Sequence, residues 1–87
     1  MTSVPRTWFV TGVSGGLGRA IAVAALEAGD TVVGTLRKPE QFAEFEALAP
    51  GRAHALALDV TDSAAVGPAV KEAIRLTGGV DVVVNNA

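Results

Sequence analysis

Four short apolar segments alternate with three helix-type segments, and this alternation restricts the fold more than any other feature of the 87-residue chain. The strand-type segments are residues 7–11, 31–36, 53–58 and 80–84. Parallel strands need a crossover of a dozen or more residues, and such crossovers are right-handed. The order β-α-β-α-β-α-β therefore predicts an α/β protein with a doubly wound parallel sheet.

The first and third helical segments carry apolar residues at helical spacing. In residues 17–28 the predicted inward face is Leu17, Ala20, Ile21, Ala24 and Ala28, and in the third helix it is Val66, Val70 and Ile74. Thr61 or Asp62 is the predicted cap of that third helix, which runs to Thr77. Pro68 lies inside it, so the helix either starts late or is kinked in its first turn.

Composition excludes several functional classes. Net charge is −2 and the pI is about 5.2, which argues against nucleic-acid and membrane-surface partners. No cysteine is present, so disulfides and thiolate metal sites are excluded, and no metal site is predicted. The N-terminus lacks the apolar stretch of a signal peptide, and the longest apolar run, residues 20–26, is too short to span a bilayer. We therefore expect a soluble cytoplasmic protein.

A glycine-rich loop, VTGVSGGLGRA, directly follows the first predicted strand. Thr11, Gly12, Gly16 and Gly18 fit the pattern T-G-x-x-x-G-x-G. Glycines at these places let the loop turn tightly and let backbone N–H groups approach a pyrophosphate at the helix N-terminus. A tight strand-to-helix turn alone needs only one glycine, whereas four in seven residues favour a ligand that comes close.

The whole chain resembles the N-terminal half of a classical short-chain dehydrogenase/reductase. Three motifs carry the resemblance: the glycine motif of residues 11–18, the pair Asp59-Val60 after the third strand, and Asn85-Asn86-Ala87, which resembles the start of N-N-A-G. Gly12, Gly15 and Gly18 also fit the G-x-x-G-x-x-G of the extended branch, but the terminal N-N-A favours the classical one.

The resemblance implies a Rossmann-type half-domain over residues 1–87, with the strand order 3-2-1-4 and truncated before the catalytic half. It also implies that a nicotinamide dinucleotide is the partner. Together with the basic pair after the second strand, the predicted cofactor-binding residues are Gly12, Ser14, Gly15, Gly16, Leu17, Gly18, Arg37, Lys38, Asp59, Val60, Asn86 and Ala87.

The end of the second strand bears on which nicotinamide cofactor is bound. NAD-preferring sites place an acid there to bind the ribose hydroxyls, but this chain has Leu36 followed by Arg37 and Lys38. Arg37 is positioned to face a 2′-phosphate, with Lys38 as a second charge and Ser14 as a donor. A solvated basic loop is the alternative. Because the acid is missing, NADP(H) is favoured over NAD(H).

The family transfers hydride between the cofactor and a carbonyl or alcohol by means of a serine, a tyrosine and a lysine in its later half. This chain contains no tyrosine, so no catalytic residue is assigned and the 87 residues alone are expected to be inactive. Two alternatives stay open: a non-catalytic dinucleotide-binding module and a truncated fragment without function. Homo-oligomerisation of the full-length protein is an expectation from the resemblance only, and the substrate is not predicted.

Overall fold

Four strands and three helices alternate in the computed structural model, which describes residues 4–59 and 61–86. In chain order they are β1 (Thr7–Val10), α1 (Gly16–Glu27), β2 (Thr31–Leu36), α2 (Phe42–Glu46), β3 (Ala53–Ala57), α3 (Val66–Thr77) and β4 (Val82–Val84). Single 3₁₀ turns, Pro39–Gln41 and Ser63–Ala65, lead into α2 and α3. The predicted alternation is confirmed, and each boundary shifts by only a few residues.

The four strands form one parallel sheet in the order β3-β2-β1-β4. Trp8 pairs with Val32 on one side and with Val82 on the other, so β1 is central. Parallel strands connected by helices bury both faces of the sheet, and their sequences accordingly read as near-continuous apolar runs such as TVVGTL. The predicted doubly wound sheet and its strand order are confirmed.

Two apolar clusters lie on opposite faces of the sheet. The larger one joins α1 and α2 to the sheet through Val10, Val13, Ala22, Ala25, Leu26, Val32, Leu36, Phe45, Ala49, Ala53 and Ala55. The smaller one joins α3 to the other face through Phe9, Val33, Leu58, Ala69 and Ala73. Consecutive residues of one strand, such as Phe9 and Val10, therefore belong to different clusters.

The predicted inward faces of α1 and α3 are partly wrong. Leu17 is 68% exposed, and α1 instead buries Gly18, Ala22, Ala25 and Leu26. Ile74 is 44% exposed, and the buried residues of α3 are Ala69 and Ala73, although Val66 and Val70 do pack against that cluster. Small side chains allow a helix to lie close to a sheet, and α1 is apolar on most sides. Hydrophobic spacing alone therefore did not identify its contact face.

The late start of α3 explains how Pro68 is accommodated. The helix begins at Val66, so Pro68 is in its first turn, where a backbone N–H has no intrahelical acceptor to lose. Asp62 accepts a hydrogen bond of 3.2 Å from the Ala64 N–H and caps the preceding 3₁₀ turn. The N-cap of α3 itself is Ala65, without a side-chain hydrogen bond, so neither Thr61 nor Asp62 caps the helix as predicted.

The outer edge of β3 is covered by a side chain. Glu46, the last residue of α2, accepts a 3.1 Å hydrogen bond from the Ala55 N–H through Oε2. On the opposite edge, Val83 of β4 is 60% exposed. A backbone N–H of the β3 edge is therefore paired with a side chain, whereas a valine of the β4 edge is open to solvent.

Asp30 connects three segments at the end of the sheet where the strands begin. Its Oδ1 accepts from the Arg6 N–H at 3.0 Å and its Oδ2 from the Trp8 indole N–H at 2.9 Å. Arg52 donates to the backbone oxygens of Leu26 and Asp30. The hydrogen bond from the Arg6 N–H, followed by that from Trp8, lowers the pKa of the Asp30 carboxyl. The carboxylate form is thus the one the fold stabilises.

Helix α1 approaches the loop that precedes it most closely at Gly18. A Cβ added there would overlap the carbonyl oxygen of Gly12 and lie 2.5 Å from Nδ2 of Asn86. Only glycine allows this contact without displacing backbone atoms. The third glycine of the sequence motif is therefore required by helix packing.

No helix within residues 4–59 and 61–86 combines the length and the apolar character needed to cross a bilayer.

We predict that Asp30→Asn lowers stability near neutral pH and that its effect diminishes in acid. A lowered folded-state pKa adds stability that is present above the unfolded value, close to 3.8, and is lost as the pH falls through the folded value. Urea unfolding of both proteins at about pH 7 and about pH 2.5 measures this. An equal difference at both pH values would contradict the assignment.

We predict that Gly18→Ala lowers the free energy of unfolding by about 2–3 kcal/mol, because the added methyl group overpacks the contact with Gly12. Gly67→Ala is the matched control: Gly67 is also in the first turn of a helix, but its added Cβ has no neighbour within 4 Å. It should raise stability by about 0.5–1 kcal/mol. Equal effects of the two substitutions in urea unfolding would disprove the packing role of Gly18.

Candidate dinucleotide-binding site

Residues 11–15 form a loop across the ends of three strands, with backbone hydrogen bonds to strands on both sides of β1. The Thr11 N–H donates to the Val84 oxygen at 3.0 Å, and the Val13 N–H donates to the Thr35 oxygen at 3.1 Å. The carboxyl ends of parallel strands at such a point, where β4 and β2 diverge from β1, form the crevice in which this class of sheet binds ligands.

Two buried threonines hold the loop through their hydroxyl groups. Thr35, 1% exposed, accepts from the Gly12 N–H at 3.0 Å. Thr11, 3% exposed, accepts from the Asn86 N–H at 2.8 Å. Asn86 in turn donates from Nδ2 to the Gly12 oxygen at 3.3 Å. The predicted glycine and asparagine motifs are therefore in direct contact.

Val13 anchors the middle of the loop in the core. Its side chain is fully buried, and a Cβ added to Gly34 would lie 2.5 Å from the Val13 Cγ2 atom and 2.8 Å from Cζ of Phe45. Gly34 thus leaves the space that Val13 and Phe45 fill. Hydrogen bonds and packing together fix the side of the loop that faces the core.

The outer surface of the loop is open. Ser14, Gly15, Gly16 and Leu17 are exposed, and a Cβ added to Gly15 or Gly16 would meet no atom within 4 Å. Gly16 has φ +60°, a conformation that favours glycine. The N-cap of α1 is Gly15, without a side-chain oxygen, and no acidic residue lies in the first turn. Unpaired N–H groups and the helix dipole therefore face outward, which suits an anion.

A hollow of about 250 Å³ lies beside the loop. Its lining brings together the residues Gly12, Ser14, Thr35, Leu36, Arg37, Lys38, Gln41 and Leu58. Arg37 and Lys38 are exposed, whereas Leu36 is 3% exposed and belongs to the larger cluster. The position that would carry an acid in an NAD-preferring site is thus a core position here, and two cations follow it.

Asp59 is exposed and lies in a turn with Thr61. Its Oδ1 accepts from the Thr61 hydroxyl at 2.6 Å and from the Thr61 N–H at 3.0 Å. These bonds, the hydroxyl first, lower the pKa of the Asp59 carboxyl, and the positive charge of Arg37 adds a smaller effect. Asp59 is therefore a carboxylate near neutral pH. Val60 and Ala87, the remaining predicted residues, lie outside the described residues.

The predicted cofactor-binding set lacks four residues that line the hollow: Thr35, Leu36, Gln41 and Leu58. Thr35 had a usable signal, since a threonine within a buried apolar strand needs a partner for its hydroxyl. Gln41 enters through the 3₁₀ turn Pro39–Gln41 that leads into α2, and no sequence pattern indicated that turn.

Comparison with known proteins gives relatives along nearly the whole chain. The family described as short chain dehydrogenase matches residues 6–87. An oxidoreductase of Botryotinia fuckeliana is 49% identical over 83 residues, which are 94% of this chain and 30% of that protein. An NADPH-dependent 3-dehydrocapnine reductase of Ornithobacterium rhinotracheale is 45% identical over 80 residues, 90% of this chain and 28% of that protein.

A solved structure of a short-chain dehydrogenase from Streptomyces avermitilis superposes with a TM-score of 0.89 at 47% identity, covering all of this chain and 32% of the other. The chain thus spans about a third or less of the relatives it matches. The glycine loop, the strand order and these matches agree, and the chain belongs to the short-chain dehydrogenase family.

Proposed function

We propose that the chain is the cofactor-binding portion of an NADP(H)-dependent oxidoreductase that transfers hydride between its cofactor and a carbonyl or alcohol substrate. One observation carries the proposal: the open glycine loop and the cations Arg37 and Lys38 line the same hollow, while the position of the acid is a buried leucine. The nicotinamide ring supplies the hydride when the cofactor is bound.

The loop and the start of α1 bind the pyrophosphate in this proposal. Gly12, Gly15 and Gly16 keep side chains away from it, and the backbone N–H groups of the first turn donate to it. The open surface at Gly15 and Gly16, where an added Cβ meets nothing, supports this assignment. Ser14 and Leu17 lie at the two ends of that surface and would contact the cofactor on either side.

Arg37 binds the 2′-phosphate of NADP(H), with Lys38 as a second charge. A guanidinium matches a phosphate with two parallel hydrogen bonds, and its exposure leaves it free to do so. The name of the relative from Ornithobacterium rhinotracheale, an NADPH-dependent reductase, supports the same preference. Arg37 then discriminates between the two cofactors.

The other predicted residues border the site. Asp59, held as a carboxylate in its turn with Thr61, would meet the adenine ring together with Val60. Asn86 supports the loop from β4 through its bonds to Thr11 and Gly12, with Ala87 next to it. A homo-oligomeric full-length protein and a cytoplasmic location belong to the same proposal.

We predict that Gly16→Ala weakens binding of NADPH and NADH alike, by about tenfold or more, because the methyl group occupies the pyrophosphate position. Gly51→Ala is the control: both glycines have positive φ, at +60° and +83°, and neither added Cβ has a neighbour within 4 Å. Both substitutions should cost about 1–2 kcal/mol of stability, but only Gly16→Ala should change the Kd in a fluorescence titration. Unchanged binding by Gly16→Ala would refute the loop assignment.

We predict that Arg37→Ala weakens NADPH binding by about 1–3 kcal/mol and leaves NADH binding nearly unchanged, because only NADPH has the 2′-phosphate. Isothermal titration of both cofactors measures the two values. Arg37→Lys should recover only part of the loss, since an ammonium group lacks the two-pronged geometry. A similar loss for both cofactors would remove Arg37 from the 2′-phosphate role.

A further inference from the structure

Arg19, in the first turn of α1, forms an ion pair with Glu44 of α2. Its Nη1 lies 3.4 Å from Oε1 of Glu44, and the two side chains are 34% and 71% exposed. Ion pairs this exposed contribute little to stability. The guanidinium is therefore easily shared with another anion.

The Arg19–Glu44 pair lies next to the proposed cofactor hollow. A small cavity lined by Val13, Ser14, Arg19, Leu36, Gln41, Glu44 and Phe45 adjoins that hollow, and Ser14, Leu36 and Gln41 belong to both. Arg19 thus lines a cavity that shares Ser14 and Leu36 with the hollow lined by Arg37. An anion bound near Ser14 would be attracted electrostatically by the guanidinium groups of both Arg19 and Arg37.

The residues between them carry no positive charge. From Gly12 to Gly18 the loop has no lysine or arginine, so the cationic character on this side depends on the first turn of α1. A guanidinium has five N–H donors and can keep one acceptor while it binds a second. Arg19 can therefore bind Glu44 and a phosphate together, although Glu44 reduces the net positive charge.

We propose that Arg19 is a second specificity-determining residue for the 2′-phosphate of the cofactor, and that Glu44 competes with the phosphate for it. This inference rests on the proposed NADP(H) preference. It assigns to α1 and α2 a role in cofactor choice that is separate from that of Arg37. Glu44 then sets how strongly Arg19 attracts the phosphate.

Equilibrium titrations of NADPH and NADH against the wild type, Arg19→Gln and Glu44→Gln test the proposal. Arg19→Gln should weaken NADPH binding by about fivefold or more and leave NADH unchanged. Glu44→Gln should strengthen NADPH binding by about twofold or more, again without effect on NADH. Arg75→Gln is the matched control, because Arg75 forms an exposed ion pair with Glu72 on α3 and is absent from the lining of both cavities.

The outcomes separate this inference from the proposed function. A wild type that prefers NADPH, with Arg19→Gln affecting neither cofactor or both equally, overturns the role of Arg19 alone. Weaker NADPH binding by Glu44→Gln overturns the competition. A wild type without preference for NADPH overturns both this inference and the NADP(H) proposal. A thermal unfolding midpoint equal to that of the wild type shows, for each variant, that the measured changes come from binding and not from loss of the fold.

Discussion

The contact between Gly18 and the carbonyl group of Gly12 determines the arrangement of the rest of the site. It brings the first turn of α1 against the loop, and it leaves the oxygen of Gly12 within reach of the Asn86 side chain. A helix displaced outward by one methyl group would separate its N-terminus from the ends of β1 and β4. Backbone geometry, rather than any charged side chain, thus fixes where an anion can approach.

The alternating patterns were sufficient to predict the order of the elements and a parallel sheet, and the resemblance carried by the motifs supplied the strand order. The sequence was not sufficient for the helix faces. Ala22 and Ala24 differ neither in polarity nor in size, yet one is buried and the other is exposed. Their difference depends on how α1 lies on the sheet, and that orientation follows from Gly18 and Val13 rather than from hydrophobic spacing.

The candidate site likewise has some residues that the sequence predicts and others that it does not. The glycine positions and Arg37 were predicted, since turn geometry and charge are local properties of a sequence. Thr35 and the Arg19–Glu44 pair were not, because each depends on contacts between segments more than twenty residues apart. Both arginines of the proposed phosphate site have a carboxylate nearby, Asp59 for Arg37 and Glu44 for Arg19, and Lys38 adds a third positive charge. An acidic chain can therefore present a local positive patch.

The hydrogen bond from Ala55 to Glu46 has a consequence for how the sheet can be enlarged. With that N–H occupied by a carboxylate, a strand that approached β3 would have to displace Glu46 and desolvate its charge. On the opposite edge, Val83 of β4 is largely exposed to solvent. A strand added beside β4 would therefore displace no such contact among the described residues, and β1, with the crevice at its carboxyl end, lies inside the sheet in either case.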